Sequence, residues 1–137
     1  MENLEIIYNQ MDEWLTPEKL LTNEVKTENF CVGKIDGKVA CAFILQNSDT
    51  EYWKDSGEAI YLHKLCVNRE YAHRNMTKSV IEAIKEECRK SGIKYVRLDT
   101  GPDEKVVRKT YLNAGLKIVD IIDYDNGRSV ALFELEV

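Results

Sequence analysis

The longest continuous pattern in the chain runs from Ala59 to Gly92. It opens with an almost unbroken apolar run that ends at Val67, continues through a polar, basic turn, and closes with apolar residues that recur every three or four positions. Such an apolar run is typical of a buried strand, and the recurring spacing predicts a helix with one apolar side. Glycine is the residue that most often follows the last turn of a helix. The pattern therefore predicts a strand, a basic turn and a helix in succession.

Two hairpins are predicted where a turn dipeptide separates two apolar segments. The dipeptides are Asp36-Gly37 and Asn126-Gly127. Both favour the type I′ turn, which requires a positive φ at its two central residues. The flanking strands are predicted at residues 30–35 and 38–46 for the first hairpin and at residues 117–124 and 129–137 for the second.

The N-terminal segment shows helical spacing. Its apolar residues recur at intervals of three or four positions: Leu4, Ile7, Met11 and Trp14. This spacing predicts a helix over Met1 to Leu15. Thr16-Pro17 then predicts the start of a second helix, because threonine caps a helix N-terminus and proline fits its first turn.

The C-terminal half adds one strand and one helix. Ile93 to Asp99 is apolar enough for a strand, and Pro102 fits the first position of a helix that ends before Gly115. The predicted order is then α-α-β-β-β-α-β-α-β-β. A helix between the third and fourth strands allows a parallel crossover, whereas hairpins give antiparallel pairs. We expect one mixed α/β domain over residues 1–137, with a mostly antiparallel sheet and helices on both faces.

Composition narrows the function classes. The chain has 137 residues and a formal net charge of −5. A general nucleic-acid-binding protein would carry a basic face, so nucleic acid is not an expected partner. No apolar run reaches the length of a membrane span and no leader pattern is recognisable, so no membrane partner is expected either.

The four cysteines show no metal-binding spacing. They form no C-x-x-C pair, and the chain has only two histidines. Zinc sites need closely spaced ligands of these types, so no metal is expected. Each cysteine falls in an apolar pattern, where a reduced thiol packs as a small hydrophobe. We therefore expect a cytoplasmic protein. The cysteines are Cys31, Cys41, Cys66 and Cys88.

Two aromatic residues interrupt the polar segment between the third strand and the central unit. Tyr52 and Trp53 lie within residues 47–58, which are otherwise polar. They either line a pocket for an acceptor molecule or cover an edge of the sheet. The second interpretation is favoured, because exposed aromatic residues need not have a function.

The basic turn after Val67 is the first candidate binding site. The N–H groups in the first turn of a helix lack partners, and the helix dipole adds partial positive charge there. Four side chains could add to that charge: Arg69, His73, Arg74 and Lys78. We interpret the turn as a cradle for a phosphate-bearing cofactor. A basic turn that is merely solvated is the alternative.

The order of elements and three segments resemble the GNAT superfamily of acyl-CoA-dependent N-acetyltransferases. The segments read L-H-K-L-C-V-N-R-E-Y-A, I-K-Y-V-R-L-D-T and Y-L-N-A-G-L-K-I-V. The resemblance runs from about Asn29 to the C-terminus. It implies that Leu62 to Val67 is a bulged strand whose backbone binds the pantetheine arm of acetyl-CoA. It also implies that the next turn holds the pyrophosphate and that the strand at Tyr95 to Thr100 splays away.

The resemblance implies a set of site residues. Tyr111 is similar to a general acid that protonates the departing thiolate, and His63 could accept the proton of the amine. The alternatives are a packed tyrosine and a strand histidine hydrogen-bonded to its neighbours. The implied cofactor-binding residues are Leu65, Cys66, Val67, His73, Arg74, Asn75, Met76, Thr77 and Lys78.

The chain departs from the family pattern at three places. In the turn, Ala72 replaces a polar residue, and Asn75 and Thr77 replace small ones. Asparagine tolerates positive φ, whereas a β-branched threonine crowds the approach of phosphate, so we expect weakened cofactor binding. Glu104 stands at about the position where many family members have an asparagine that contacts the cofactor. Finally, the family has a strand before its first helix, and this strand is expected to be missing because the chain is predicted to start inside that helix. The acceptor site would then be open or completed by a second subunit in a homodimer.

Two functions follow from the resemblance. The first is an N-acetyltransferase that moves acetyl from acetyl-CoA to a primary amine of a small molecule or a protein. The alternative is a catalytically silent binding or regulatory module that keeps the fold and has lost strong CoA binding. Tyr111, His63 and the L-C-V strand favour the enzyme, and the degenerate turn favours the module.

Overall fold

A computed structural model of the chain describes residues 4–8, 30–47, 52–53, 58–101, 105–124, 127 and 129–137. The chain divides into two compact units. The first comprises Met1–Gln46 and Leu62–Met76, and the second comprises Asn47–Tyr61 and Thr77–Val137. No helix in the described ranges is long and apolar enough to cross a membrane.

The fold is of the mixed α/β class, as predicted. The described elements are seven strands and two α-helices, with one parallel strand pair among antiparallel ones. They are β1 (Leu4–Tyr8), β2 (Phe30–Ile35), β3 (Lys38–Gln46), β4 (Ala59–Val67), α1 (Met76–Ser91), β5 (Tyr95–Thr100), α2 (Lys105–Asn113), β6 (Lys117–Asp123) and β7 (Ser129–Glu136).

The predicted N-terminal helix is wrong over the residues that the structure describes there. Leu4–Tyr8 forms β1, which pairs antiparallel with β2 from Leu4↔Ile35 to Tyr8↔Cys31. The expectation that the N-terminal strand of the family is missing is therefore also wrong. Five residues fit a strand and a helix about equally well, and pairing with a distant strand decides between them. The rest of that helix and the second predicted helix lie outside the described residues. The helices expected on both faces of the sheet are therefore described only in part.

In the first unit, the strands follow the order β1-β2-β3-β4. Asp36 and Gly37 join β2 to β3 with φ of 52° and 79°, so the predicted type I′ hairpin is confirmed. Val32 and Ala42 are buried together with Val39 packed against them.

Gly33 is required where β1, β2 and β3 approach one another. A Cβ atom at this position would lie 2.5 Å from Sγ of Cys41 and 3.0 Å from Cδ1 of Leu4. Real Cβ atoms do not come within 3.0 Å of another heavy atom, so the contact with Sγ of Cys41 would force a shift in this densely packed region. The ladder between β2 and β3 shifts its register directly after this glycine.

In the second unit, the start of β4 pairs parallel with β5, and the strand order continues through β7 to β6. The parallel ladder runs from Ala59↔Tyr95 to Tyr61↔Arg97, and both strands extend beyond it. Helix α1 connects them and buries one stripe of its surface: Val80, Ile81, Ile84 and Cys88. Its predicted end is confirmed, because Gly92 follows with a φ of 74°.

The second hairpin is confirmed in its two strands. β6 and β7 pair antiparallel from Lys117↔Glu134 to Asp123↔Ser129. Gly127 has the positive φ that the turn requires, at 82°, while the adjoining positions 125, 126 and 128 lie outside the described residues. The same holds for Pro102 and Glu104, which precede α2.

Candidate functional site

Strand β4 is distorted in its middle. Lys64 has a φ of 53°, in the left-handed region that an extended strand does not use. A left-handed residue inside a strand redirects the backbone and is one of the ways in which a bulge forms. The resemblance predicted a bulge between Leu62 and Val67, and Lys64 supplies such a distortion. Beyond it, Leu65 and Val67 are half-buried and Cys66 is exposed.

Asn68 holds the turn that follows β4. Its backbone N–H donates to the carbonyl oxygen of Ala40 at 2.7 Å, and its side-chain amide donates to that of Val39 at 3.0 Å. Its Oδ1 accepts from the backbone N–H of Glu70 at 3.1 Å and so caps a short 3-10 helix at Arg69–Tyr71. Sequence reasoning missed this role, although asparagine directly after a strand and before a turn is a recognisable signal.

An ion pair also connects this turn to the start of β3. Lys38 donates a hydrogen bond from its Nζ to Oε2 of Glu70. The hydrogen bond, and then the negative charge of Glu70, raise the pKa of Lys38 above its ordinary value. Both side chains are exposed, so the pair orients the turn more than it stabilises the fold.

The candidate pyrophosphate turn uses left-handed backbone at two positions. His73 has a φ of 62° and Asn75 a φ of 54°. Asn75 is the residue aligned with the first small residue of the family pattern, and asparagine is among the non-glycine residues that enter this region at least cost. The turn thus adopts at Asn75 the kind of backbone that glycine usually supplies.

The start of α1 is suited to an anion. Its first turn contains no acidic residue, and His73, Arg74 and Lys78 are exposed near it. The guanidinium of Arg74 lies 5.2 Å from the ring centre of Tyr71, which is buried. Unpaired N–H groups at such a helix end bind phosphate oxygens directly. Met76 is itself buried, so only its backbone is suited to this role.

The two candidate catalytic residues belong to different units. His63 lies on β4 in the first unit; the residue is half-buried and its Nε2 is shielded from solvent. Tyr111 lies on α2 in the second unit, half-buried, with its ring 5.9 Å from that of Phe133 at an interplanar angle of 55°. Of the implied cofactor-binding residues, those up to Met76 lie in the first unit and Thr77 and Lys78 in the second.

A cavity of about 580 Å³ lies within the second unit. Tyr52 and Trp53 line it, so the structure places them at a cavity, while a part for them in binding an acceptor stays a prediction. Three strands supply the rest of the lining: Arg97 from β5, Val119, Asp120 and Ile122 from β6, and Leu132 and Glu134 from β7.

Arg97 is the central polar residue of this cavity. It is only 5% exposed, and its Nε donates to Oε2 of Glu134 at 2.9 Å. Its Nη1 donates to the hydroxyl of Tyr61 at 2.9 Å. The guanidinium also lies 4.5 Å from the ring centre of Trp53 and 5.4 Å from that of Tyr95, a cation–π arrangement. Sequence reasoning missed Arg97, although an arginine in an apolar strand needs a buried partner.

Arg108 ties α2 to the end of β5. Its Nε donates to Oγ1 of Thr100 at 3.1 Å, and its Nη2 donates to the carbonyl oxygen of Gly101 at 3.0 Å. None of the nine residues of α2 is fully buried, so these polar contacts matter for the position of the helix.

The cysteines differ in exposure. Cys31, Cys41 and Cys88 are buried, and burial raises the pKa of the thiols of Cys41 and Cys88 to about 11. Cys66 is exposed, so its interpretation as a packed hydrophobe is wrong. The described part of the chain contains no group of three or more His, Cys, Asp or Glu side chains arranged to hold a metal ion.

Comparison of the structure with solved structures returns acetyltransferases. A GNAT family acetyltransferase from Elizabethkingia anophelis with acetyl-CoA bound has a TM-score of 0.70 at 15% identity, and the match covers 100% of both chains. The ribosomal-protein-S18-alanine N-acetyltransferase from Escherichia coli has a TM-score of 0.67 at 13% identity, covering 98% of this chain and 94% of the other.

A third match is to a longer protein. The GNAT family acetyltransferase from Listeria monocytogenes has a TM-score of 0.66 at 20% identity, covering 80% of this chain. The match spans 65% of that protein. Identities this low show a shared fold and leave the substrate open.

Sequence comparison gives the family directly. No curated protein sequence matches significantly. The family model described as the Acetyltransferase (GNAT) family matches residues 2–116, which is most of the chain. The bulged strand, the left-handed turn and the shared fold agree with that match, and the chain belongs to the GNAT family of acetyltransferases.

Proposed function

We propose that the protein is an N-acetyltransferase that moves the acetyl group of acetyl-CoA to a primary amine of a small molecule or a protein. The observation that carries the proposal is the left-handed backbone at Asn75. The turn keeps, at the position where the family uses a small residue, the positive φ that such a residue supplies, and this supports a backbone arranged for phosphate. Membership of the family supports acetyl-CoA as the co-substrate.

The chain supplies groups for each part of cofactor binding. Backbone N–H groups of Leu65 to Val67, beyond the distortion at Lys64, would bind the pantetheine arm. The turn from His73 to Asn75 and the first N–H groups of α1 would bind the pyrophosphate, with Arg74 and Lys78 adding positive charge. Acetyl-CoA itself supplies an activated acyl group on a good leaving group.

The reaction then needs two proton transfers. The amine nitrogen forms a bond to the acetyl carbon as the bond from that carbon to sulfur breaks. His63 takes the proton that the amine loses, and Tyr111 gives a proton to the departing thiolate. Backbone N–H groups of β4 would stabilise the charge on the carbonyl oxygen. The products are an N-acetyl amide and the free thiol of CoA.

Calorimetry with acetyl-CoA tests the binding step on variants of Asn75. Valine at a positive φ is strained by about 1–2 kcal/mol, so Asn75→Val should weaken binding by about tenfold. Asn75→Gly should bind within about threefold of the parent, because glycine adopts the same backbone freely. Absence of heat from the parent protein at millimolar acetyl-CoA would refute the proposal.

Thiol release with a panel of amines tests the chemical step. Tyr111→Phe should lower turnover by about a hundredfold or more while acetyl-CoA affinity stays unchanged, since a phenol that acts only as an acid contributes to the transition state. His63→Gln should lower turnover most near neutral pH, where an unprotonated imidazole can accept a proton while the free amine still carries one, and the effect should shrink at low pH, where imidazole is protonated. Turnover that is indifferent to both changes would remove the two residues from the mechanism.

A silent binding module is the second candidate. Thr77, half-buried in the first turn of α1, and the exposed Ala72 favour it, because neither supplies what the family pattern supplies. Thr77→Gly should tighten acetyl-CoA binding if the β-branched side chain crowds the phosphate. A protein that binds acetyl-CoA and releases no thiol with any amine would be such a module.

Two further expectations stay proposals. The free cysteines support a cytoplasmic location, which cell fractionation would test. The homodimer was inferred partly from a missing N-terminal strand, and β1 removes that reason. Mass measurement in solution would decide the oligomeric state, with a strict monomer excluding a shared acceptor site.

A further inference from the structure

Helix α2 carries Tyr111, yet it packs weakly against the rest of the second unit. It has nine residues, and none of them is fully buried. Even the apolar residues of its first turn are exposed, Val106 by 80% and Val107 by 40%. A helix this short is not stable alone, because most helical stability in proteins comes from burying an apolar face. The position of α2 therefore depends on a small number of specific contacts.

The C-terminal end of α2 is held by apolar packing and by its cap. Ala114 and Leu116, which follow the helix, are buried. The backbone N–H of Leu116 donates to the carbonyl oxygen of Tyr111 at 3.2 Å. The ring of Tyr111 lies 5.9 Å from that of Phe133, which is completely buried. All of these contacts lie at Tyr111 or after it, so they do not fix the first two turns of the helix.

Arg108 supplies the contact that the N-terminal part of the helix needs. Its guanidinium donates to Oγ1 of Thr100 at 3.1 Å and to the carbonyl oxygen of Gly101 at 3.0 Å. Thr100 is buried, and a buried hydroxyl that loses its partner is costly. The guanidinium is planar, so two bonds from its fork restrict direction as well as distance. Arg108 precedes Tyr111 by three positions, which places the two side chains next to each other on the helix surface.

Arg108 and Tyr111 attach the helix to two neighbouring strands. Thr100 is the last residue of β5, and Phe133 lies on β7, the strand that pairs with β5. Two attachment points fix the rotation of a helix as well as its distance from the sheet, whereas one point leaves the helix free to turn. Loss of the Arg108 hydrogen bonds would therefore let α2 rotate about the ring contact and would move the phenol of Tyr111.

We propose that Arg108 is a positioning residue of the acetyl-transfer reaction: by fixing α2 to the end of β5, it holds the phenol of Tyr111 where the departing thiolate takes its proton. The inference rests on the proposed function, in which Tyr111 is the general acid. Proton transfer needs the two heavy atoms within hydrogen-bond reach, about 2.6–3.2 Å. A displacement of about 1 Å can lower the rate by about a hundredfold. A helix that turns on its contact with Phe133 would produce such a displacement.

Arg108→Met tests the proposal, because methionine is a good helix former and removes both hydrogen bonds. Turnover, measured by thiol release with the panel of amines, should fall at least about tenfold, while the affinity for acetyl-CoA in calorimetry stays within about threefold of the parent. Lys109→Met is the matched control, since it removes the same charge at the next, exposed position of the helix. It should keep turnover within about threefold of the parent. Equal losses in the two variants would overturn the proposal.

A double-mutant cycle separates positioning from a general structural role. In a Tyr111→Phe background the acid is already absent, so Arg108→Met should lower turnover by less than about threefold. A general weakening of the second unit would lower turnover in both backgrounds alike, and a tenfold loss in both would overturn the proposal.

Thr100→Val tests the same contact from the other strand. Valine keeps the shape of threonine and removes the hydroxyl that accepts from Arg108. Turnover should fall by about threefold or more, since the bond to Gly101 remains. Combined with Arg108→Met it should add no further loss, because the bond is already gone. Independent, multiplying losses would mean that Thr100 and Arg108 do not act through their hydrogen bond, and the proposal would fail.

An NMR measurement of the ring contact needs no substrate. The nuclear Overhauser effect between the ring protons of Tyr111 and Phe133 should be the same in the parent and in Lys109→Met and should weaken in Arg108→Met. This separates failure of the proposal from failure of the proposed function. If turnover depends on Tyr111 while neither turnover nor the ring contact responds to Arg108→Met, the acid stands and the positioning role fails. If the ring contact responds while Tyr111→Phe leaves turnover unchanged, the acid fails, and with it any role of Arg108 in the reaction.

Discussion

Arg97 of β5 and Glu134 of β7 stand directly opposite each other in an antiparallel ladder, and their side chains form an ion pair at 2.9 Å. Arg97 is almost completely buried, and Glu134 is one-fifth exposed at its side chain. Desolvation makes such a pair a weak source of stability, yet removal of one partner leaves a buried charge. Separating the two side chains would therefore be costly, and the pair keeps β5 and β7 in register at the cavity.

Glu134→Gln should destabilise the protein by about 3 kcal/mol, near the lower end for a broken buried pair because Glu134 is partly exposed. Urea denaturation would measure the change. Glu136→Gln, an exposed position on the same strand, should stay within about 0.5 kcal/mol of the parent. The double change Arg97→Met with Glu134→Leu should recover most of the loss, since apolar residues replace such pairs at little cost. No recovery would mean that the contacts of Arg97 with the rings, and not its charge, decide the effect.

Gly33→Ala should destabilise the first unit by about 1–3 kcal/mol, the usual cost of an overpacked site. The added methyl group would meet Sγ of Cys41 and Cδ1 of Leu4, and these side chains would have to shift. In a Cys41→Ala background, which removes the nearer of the two atoms, Gly33→Ala should cost less than half as much. Thermal denaturation of the four proteins of this cycle gives the coupling. Additive effects would mean that the sulfur is not the obstacle.

How far the sequence predicts the fold depends on how local the deciding contacts are. The hairpin at Asp36 and Gly37 follows from two adjacent residues that tolerate positive φ, and it forms as expected. Strand β1 was predicted as a helix because Leu4 to Tyr8 fits both periods, and its partner lies more than twenty residues away in the sequence. Local pattern carries no information about such pairing.

In the candidate site, too, local features can be predicted from the sequence and contacts between distant residues cannot. The strand, turn and helix around Asn75 could be read from one continuous segment, including the tolerance of Asn75 for positive φ. The contact of Arg97 with Glu134 joins residues 37 positions apart, and that of Arg97 with Trp53 depends on the packing of a loop. The position of a buried charge can be suspected from sequence, but the identity of its partner comes from the fold.

Alkaline conditions should weaken the fold through two buried thiols. Burial raises the pKa of Cys41 and of Cys88 from 9.0 to about 11. Above pH 9 the unfolded chain loses protons that the folded chain keeps, so stability is complete below pH 9 and falls as the pH rises towards 11. Each thiol should contribute a slope of up to about 1.4 kcal/mol per pH unit in that window.

Urea denaturation between pH 8 and 11 would measure this slope. The double variant Cys41→Ala with Cys88→Ala should start less stable and show a shallower decline. Lysine and tyrosine ionisation affects both proteins alike, so the difference between their slopes isolates the thiols. Parallel pH profiles would show that the two thiols do not ionise on unfolding in this range.

Lys64 gives the sharpest test of the distortion in β4. Its φ of 53° is unfavourable for a β-branched residue, so Lys64→Val should cost about 1–2 kcal/mol. The stability of Lys64→Gly should lie within about 0.5 kcal/mol of the parent or above it, because relief of the backbone offsets the entropy of glycine in the unfolded chain.

Lys117, exposed on β6 without a positive φ, provides the matched control, and there the valine variant should be more stable than the glycine variant by about 1 kcal/mol. The same order of valine and glycine at both positions would contradict the left-handed conformation at Lys64. If the distortion positions the backbone for acetyl-CoA, Lys64→Val should also weaken acetyl-CoA binding in calorimetry, whereas neither change at Lys117 should affect it.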